Sequence, residues 1–442
     1  MRLKSVWYDL TTSFWFVPIV SILVAFAGAY VSIFIDSSVD IDPPGFFQHI
    51  LCSNVDSARS VLSTISGAMI GVAGTVFSIT LVALTLASSQ FGSRLLRNFM
   101  HDRTNQVVLG SYIATFVYCL IILNAIDEGV GFEFVPEISV LISIVAAVAN
   151  IVLLVIFIHH ISMGIQADKV ISDISTTLNL NLNTIFPDEI QGDEVLEDAL
   201  DLDELKKGYE ERYSVRAPRG GYLQYVNYDT TLSAAKEGDL LVIVNFRPGD
   251  HVVFESPVIE VCYNGDIPEK SIRRLETAFL VGNVRTPYQD AEFSIHQMVE
   301  IAARALSPGV NDPYTAIACV DNLTSTLCHL TRVKFPLRYR YDDDAEDADE
   351  RTVRVIADVL TFEGMLNAAF NQIRQFAGGS PAVLIRLMES LVTIHQFVRT
   401  DQQKQAVQKH MRMVYRMAEH SFVEESDLID LKERIKAIVR DF

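Results

Sequence analysis

SVLSTISGAMIGVAGTVFSITLVALTLASSQ, residues 60 to 90, runs for 31 residues without a charged side chain. A bilayer core needs roughly 20 apolar residues in helix, so this stretch is long enough to cross one. A plain anchor is built from Leu, Ile, Val and Phe, whereas small and hydroxyl residues dominate here. At alternating spacings of three and four, Thr64, Gly67, Gly71, Gly74, Ser78, Thr85 and Ser88 fall along one helical face, interrupted by Leu81. The opposite face carries Ile65, Val72, Ile79, Val82 and Leu86. Two readings fit such a stripe. In one, Gly67 and Gly71 form a small-xxx-small contact that lets another helix approach closely. In the other, copies of this helix surround an axis and the hydroxyls line a narrow wet path.

Outward from this span, three more stretches qualify: residues 14 to 35, 107 to 126 and 138 to 159. A hydrophobic fraction of 50% and a mean hydropathy of +0.25 are high for an acidic chain, and the excess sits before about residue 160. The first stretch reads as a span and not as a cleaved signal, because no small-residue cleavage site precedes the polar segment 36 to 42. Positive charge marks the cytoplasmic flanks. Arg2 and Lys4 precede the first span, and Arg94, Arg97 and Arg103 lie between the second and third. Asp36, Asp40, Asp42 and Asp56 fill the first connection, and Asp127, Glu128, Glu133 and Glu137 the last. The alternation predicts an inner-membrane protein with both termini in the cytoplasm. Trp7, Tyr8 and Trp15 fall where an interfacial aromatic belt belongs. No span contains an Asp, Glu, Lys or Arg of the kind that proton relays and coupled pumps use, which favours a passive channel or a sensor over a coupled transporter.

The formal charge of −19 is concentrated after the spans, where 30 Lys+Arg face 45 Asp+Glu. Phosphate backbones need a basic surface, so nucleic acid is not an expected partner. The expected division is a transmembrane domain at 1 to 160, a helical stalk and acidic linker at 161 to 213, a small β domain at 214 to 265, and a helical cytoplasmic domain at 266 to 442. In the β part, YLQYVNY, DLLVIVNF, HVVFE and PVIEVC are separated by GD, RPGD and SP, which predicts a small antiparallel, barrel-like unit. The turn at Pro248, Gly249 and Asp250 is similar to those of barrel-sandwich carriers of biotin or lipoate, but no Lys stands at a suitable hairpin, so no cofactor is expected. The expected fold class is therefore membrane α-helical, with four spans, joined to a cytoplasmic α+β region.

In the helical part, Ile295, Met298, Val299, Ala302 and Leu306 form one apolar stripe, and Ala316, Val320, Leu323, Leu327 and Leu330 recur at heptad spacing. The connector SPGVNDP, residues 307 to 313, places Asp312 as an N-cap and Pro313 in the first turn of the second helix. Arg285, Thr286, Asp290, Arg304, Ser307, Asn311 and Asp312 are the residue types that could form a polar pocket for a small anion at a helix N-terminus, or simply a hydrogen-bonded junction. The five cysteines show no CxxC or zinc spacing, and His159 and His160 point in different directions on a helix, so no metal is expected. No P-loop, HExxH, GxSxG or kinase signature is present, which makes an enzyme the weakest reading.

The segments SSQFGSRLLRNFMHDRTNQVVLGSYIATFVYCLIIL and RALSPGVNDPYTA resemble the bacterial predicted membrane protein family DUF2254, over essentially the whole chain. The resemblance implies a four-span membrane region with a cytoplasmic domain and carries no catalytic residues. The resulting expectation is an oligomeric channel whose second span lines the path, with the lipid bilayer, copies of itself, and ions or a small anionic ligand as partners. The alternative is a membrane-anchored sensor or scaffold that does not conduct.

Overall fold

The computed structural model describes residues 13, 15–38, 54–92, 102–129, 132–186, 200–342 and 352–435. Arg2, Lys4, Trp7, Tyr8, Asp40, Asp42, Cys52, Arg94, Arg97, most of the acidic linker and the acidic insert at 343–350 lie outside the described residues. The chain forms two compact units, 1–169 and 170–442.

The first unit holds four helices long and apolar enough to cross a membrane: α1 (Phe16–Ser38), α2 (Val55–Phe91), α3 (Arg103–Ala125) and α4 (Glu137–Gly164). A short hairpin of β1 (Asp127–Gly129) and β2 (Phe132–Phe134) joins the last two. All four spans expected from sequence are found, each with somewhat different ends. Half of the apolar stretch of α3 is enclosed, against 17–22% for the others, so α3 is the central helix. Gly110 makes this possible: a Cβ there would stand 3.1 Å from the Pro18 Cα and 2.9 Å from the Ser21 Oγ, so only glycine lets α1 settle this closely on α3. Polar side chains pin the bundle internally, as an apolar surrounding demands. Buried Asn150 on α4 accepts from the Ser111 Oγ at 2.6 Å and donates to the Thr115 Oγ1 at 2.8 Å, while the Tyr112 hydroxyl donates to its carbonyl at 2.6 Å. Asp36, read from sequence as a loop residue, ends α1 and caps α4, accepting from the Ile138 and Ser139 amides at 2.9 and 3.0 Å. A carboxylate at this helix N-terminus also meets the positive end of the dipole.

In the second unit α5 (Ala167–Ile185) and the short α6 (Leu202–Lys206) precede β3 (Glu211–Arg216), β4 (Gly221–Val226), α7 (Tyr228–Gly238), β5 (Leu241–Val244), β6 (His251–Val252), β7 (Pro257–Tyr263), α8 (Glu269–Glu276) and β8 (Phe279–Gly282). The expected barrel is not formed. The strands make two open sheets, a five-stranded one in the order β3-β7-β5-β10-β9 and a three-stranded one in the order β6-β4-β8. The missing members, β9 (Tyr339–Tyr341) and β10 (Val353–Ala357), come from the region expected to be wholly helical, and β10 runs parallel to β5. The physical reason is legible in β5, whose LVIV is buried at every position. Val242 and Val244 join the core shared by both sheets, and Leu241 and Ile243 join a second core with Cys262, Tyr339, Val353 and Ile356. A strand covered on both faces belongs inside a layered sheet, not on a one-sided barrel wall.

Among the described residues six α-helices complete the unit: α9 (Ala291–Ala305), α10 (Pro313–Leu330), α11 (Phe362–Phe376), α12 (Pro381–Phe397), α13 (Asp401–Ser421) and α14 (Glu425–Ile435). Of the stripes read from sequence, Ile295, Met298, Val299 and Ala302 on α9 and Ala316, Val320, Leu323, Leu327 and Leu330 on α10 are buried, while Leu306, just past the end of α9, is half-buried. α13 opens with a reciprocal capping box between Thr400 and Gln403.

Candidate functional site

Helix α2 has two seams of heptad character on opposite sides. The one opposite the small-residue stripe is not the Ile65, Val72, Ile79, Val82 and Leu86 face expected from sequence, of which Ile79, Val82 and Leu86 are exposed. Leu62, Ser66, Met69, Ala73, Val76, Ala83 and Ala87 are buried against the rest of the bundle. The stripe singled out from sequence is the other seam: Thr64, Gly67, Gly71, Gly74, Ser78 and Thr85 are exposed and Ser88 is half-exposed. A Cβ added at Gly67, Gly71 or Gly74 would meet nothing within 4 Å, so no packing among the described residues requires these glycines. Elsewhere the outer surface is bulky and aliphatic, with Leu23, Val24, Val31 and Phe34 on α1 and Val145, Val148, Ile151, Val152 and Val155 on α4. The stripe's hydroxyls serve the helix itself: Thr64, Ser78 and Thr85 donate to the carbonyls of Ser60, Gly74 and Leu81 at 2.7, 2.9 and 2.9 Å. Each donor is therefore satisfied without water, and each oxygen keeps acceptor capacity.

The polar residues around the connector do not converge. Arg285 and Asp290 meet at the N-terminus of α9, where Arg285 binds the carboxylate in bidentate fashion at 2.7 and 2.9 Å and Asp290 accepts from the Phe293 amide at 3.1 Å. Burial pulls the Arg285 guanidinium down, and Asp290 more than offsets it, holding the group above its ordinary range. Arg304, Ser307, Asn311 and Asp312 gather at the other end of α9, about 22 Å away by helical rise. There Arg304 pairs with Glu300 at 3.3 Å, the Ser307 hydroxyl donates to the Arg304 carbonyl at 2.6 Å, and Asn311 takes φ +50°. Asp312 is the N-cap of α10, accepting from the Thr315 hydroxyl at 2.6 Å and amide at 3.2 Å, and the Thr315 hydroxyl is the main reason its carboxyl lies below the usual range.

The second unit does contain a cleft, of about 710 Å³, whose lining includes Tyr288 and Gln289 just before Asp290. It is lined by the end of α5, the end of β4 with the first turn of α7, the turn at Arg247 and Pro248, and the segments around Tyr288, Lys334 to Arg340 and Asp358. Asn227 caps α7 by accepting from the Thr230 amide at 3.0 Å. Arg340 projects from β9, its guanidinium 4.0 Å from the centre of the Tyr228 ring. Its Nε is buried with no hydrogen-bond partner. Burial pushes this guanidinium below its ordinary range, with Tyr228 and Asp229 acting in the other direction. Arg247 is already neutralised by Glu292 at 3.0 Å, whose own carboxyl is pushed up by burial. Sequence reasoning passed over this cleft, although KFPLRYRY at 334 to 341 interleaves aromatic and basic residues and YVNYD at 225 to 229 adds two tyrosines and an acid. The signal was weak because the two segments meet only once β9 is placed.

An apolar four-helix unit of this kind, followed by a large α+β and helical unit, defines a polytopic membrane protein. Its family model agrees: the chain belongs to DUF2254, described as a predicted membrane protein, which matches residues 11–393. Uncharacterized proteins of Mycobacterium bovis and Mycobacterium tuberculosis are each 32% identical to it over 388 residues, spanning 84% of this chain and 70% of theirs. No solved structure matches the chain.

Proposed function

We propose that this protein assembles with copies of itself in the bacterial inner membrane as a channel, with the outward face of α2 lining the path and the second unit regulating it from the cytoplasm. The observation that carries the reading is the contrast between Gly67, Gly71 and Gly74, which face open space, and the bulky aliphatic exterior of α1 and α4. Lipid tails place no premium on small residues, whereas a close helix contact or a narrow path does. The self-bonded hydroxyls favour a second reading, in which the same face makes a dry contact between copies and nothing is conducted. Ion flux from reconstituted vesicles separates the two. A channel gives wild-type flux that Gly71→Leu blocks while the assembly stays intact. A dry contact gives no flux under either voltage polarity, several salts or membrane tension, and Gly71→Leu then dissociates the copies.

A further inference from the structure

We propose that the cleft at Arg340 binds a small organic phosphate carrying a planar ring, of the nucleoside monophosphate class. Its volume of about 710 Å³ lies inside the roughly 300–1,000 Å³ typical of small-molecule sites. The argument starts from Arg340. A guanidinium stacked on a tyrosine face keeps its fork of N–H donors at the edge, where they match a carboxylate or phosphate. Here the Nε is enclosed by protein without an acceptor, so a ligand oxygen in the cleft meets the fork at its terminal nitrogens. The strand pairing of β9 with β10, which sets Arg340 opposite Val355, fixes the group in place.

The remaining lining selects among anions. Lys334 lines the same cleft, and the charge of Arg247 there is taken up by Glu292. Asp229 and Asp358 stand in the same lining and disfavour a highly charged ligand, so a monophosphate fits better than a triphosphate. The same two carboxylates accept hydrogen bonds from ribose hydroxyls or a base amino group. Tyr225 and Tyr288, with ring centres 5.8 Å apart, offer the aromatic surface on which a base stacks, and Tyr288 is 66% exposed. The first turn of α7 contributes the positive end of a helix dipole. The site lies within the second unit, and the proposal stands whether or not the protein conducts.

The test is calorimetric titration of the full-length protein in detergent with adenosine 5′-monophosphate, guanosine 5′-monophosphate and inorganic phosphate. Saturable binding of at least one nucleotide is expected, weakened by about tenfold or more in Arg340→Gln and in Tyr288→Ala. Tyr288→Ala should leave any phosphate binding unchanged. Because Tyr288 is exposed, this variant keeps its fold and decides the matter even if Arg340→Gln does not fold. Absence of nucleotide binding up to about 1 mM overturns the proposal. So does phosphate binding as tightly as the nucleotides, or nucleotide binding that Tyr288→Ala leaves intact.

Discussion

At the scale of single residues, the second unit holds ionisable groups whose environments dictate their behaviour. His410 is fully buried, with Nε2 3.0 Å from the Asn367 Oδ1, and burial, helped by Arg374 and Lys409, pushes its imidazole down to about 4. The unfolded chain therefore binds the proton that the folded one refuses. The stability this contributes is complete above the ordinary histidine value near 6.5 and is lost as pH falls from there toward 4, an interval worth roughly 3 kcal/mol. Thermal midpoints of wild type and His410→Gln should accordingly converge on acidification through that window. Asp290 offers a second case. It is 3% exposed, caps α9 and holds Arg285, so Asp290→Ala removes a cap and leaves a half-buried cation unpaired. A loss of roughly 3 kcal/mol or more is expected in denaturant unfolding, against about 1 kcal/mol for Asp312→Ala, which removes an N-cap alone.

Among the elements, the glycines of the membrane unit divide by what lies beyond their Cα. Gly110 is hemmed in by the Pro18 backbone, whereas Gly71 faces open space. Gly110→Val should therefore destabilise each chain by about 1–3 kcal/mol through overpacking. Gly71→Leu should leave the single chain's thermal stability in detergent unchanged and act on flux or on the oligomeric mass. Ile79→Leu should change neither. The four spans were legible in sequence because apolar length alone announces them, and the α2 stripe because its periodicity survives into the structure. Asp312 was legible as a cap for the same local reason. The sheets were not, since one of the two partners of LVIV lies in residues 353 to 357, and no local pattern tells which distant strand a fully apolar run will pair with. The connector residues were read as neighbours because they are close in sequence, yet a 15-residue helix separates the two groups.

For the whole molecule, the charge alternation between spans makes a topological prediction: reporters fused at Asp40, Thr104, Glu133 and Phe442 should read outside, inside, outside and inside. A periplasmic reading at Phe442 would remove the basis for a cytoplasmic second unit. The insertion of β10 between β5 and β9 bears on how the chain is made. During synthesis, β5 emerges with its β7 partner while its other edge waits for a strand that has not yet been translated. Through that interval the nascent chain carries an apolar, unpaired edge of the kind that invites wrong pairing. A ribosome stalled before residue 353 would thus hold a product that chaperones retain and proteases clear, and emergence of residues 353 to 357 would mark the moment at which the domain escapes that surveillance.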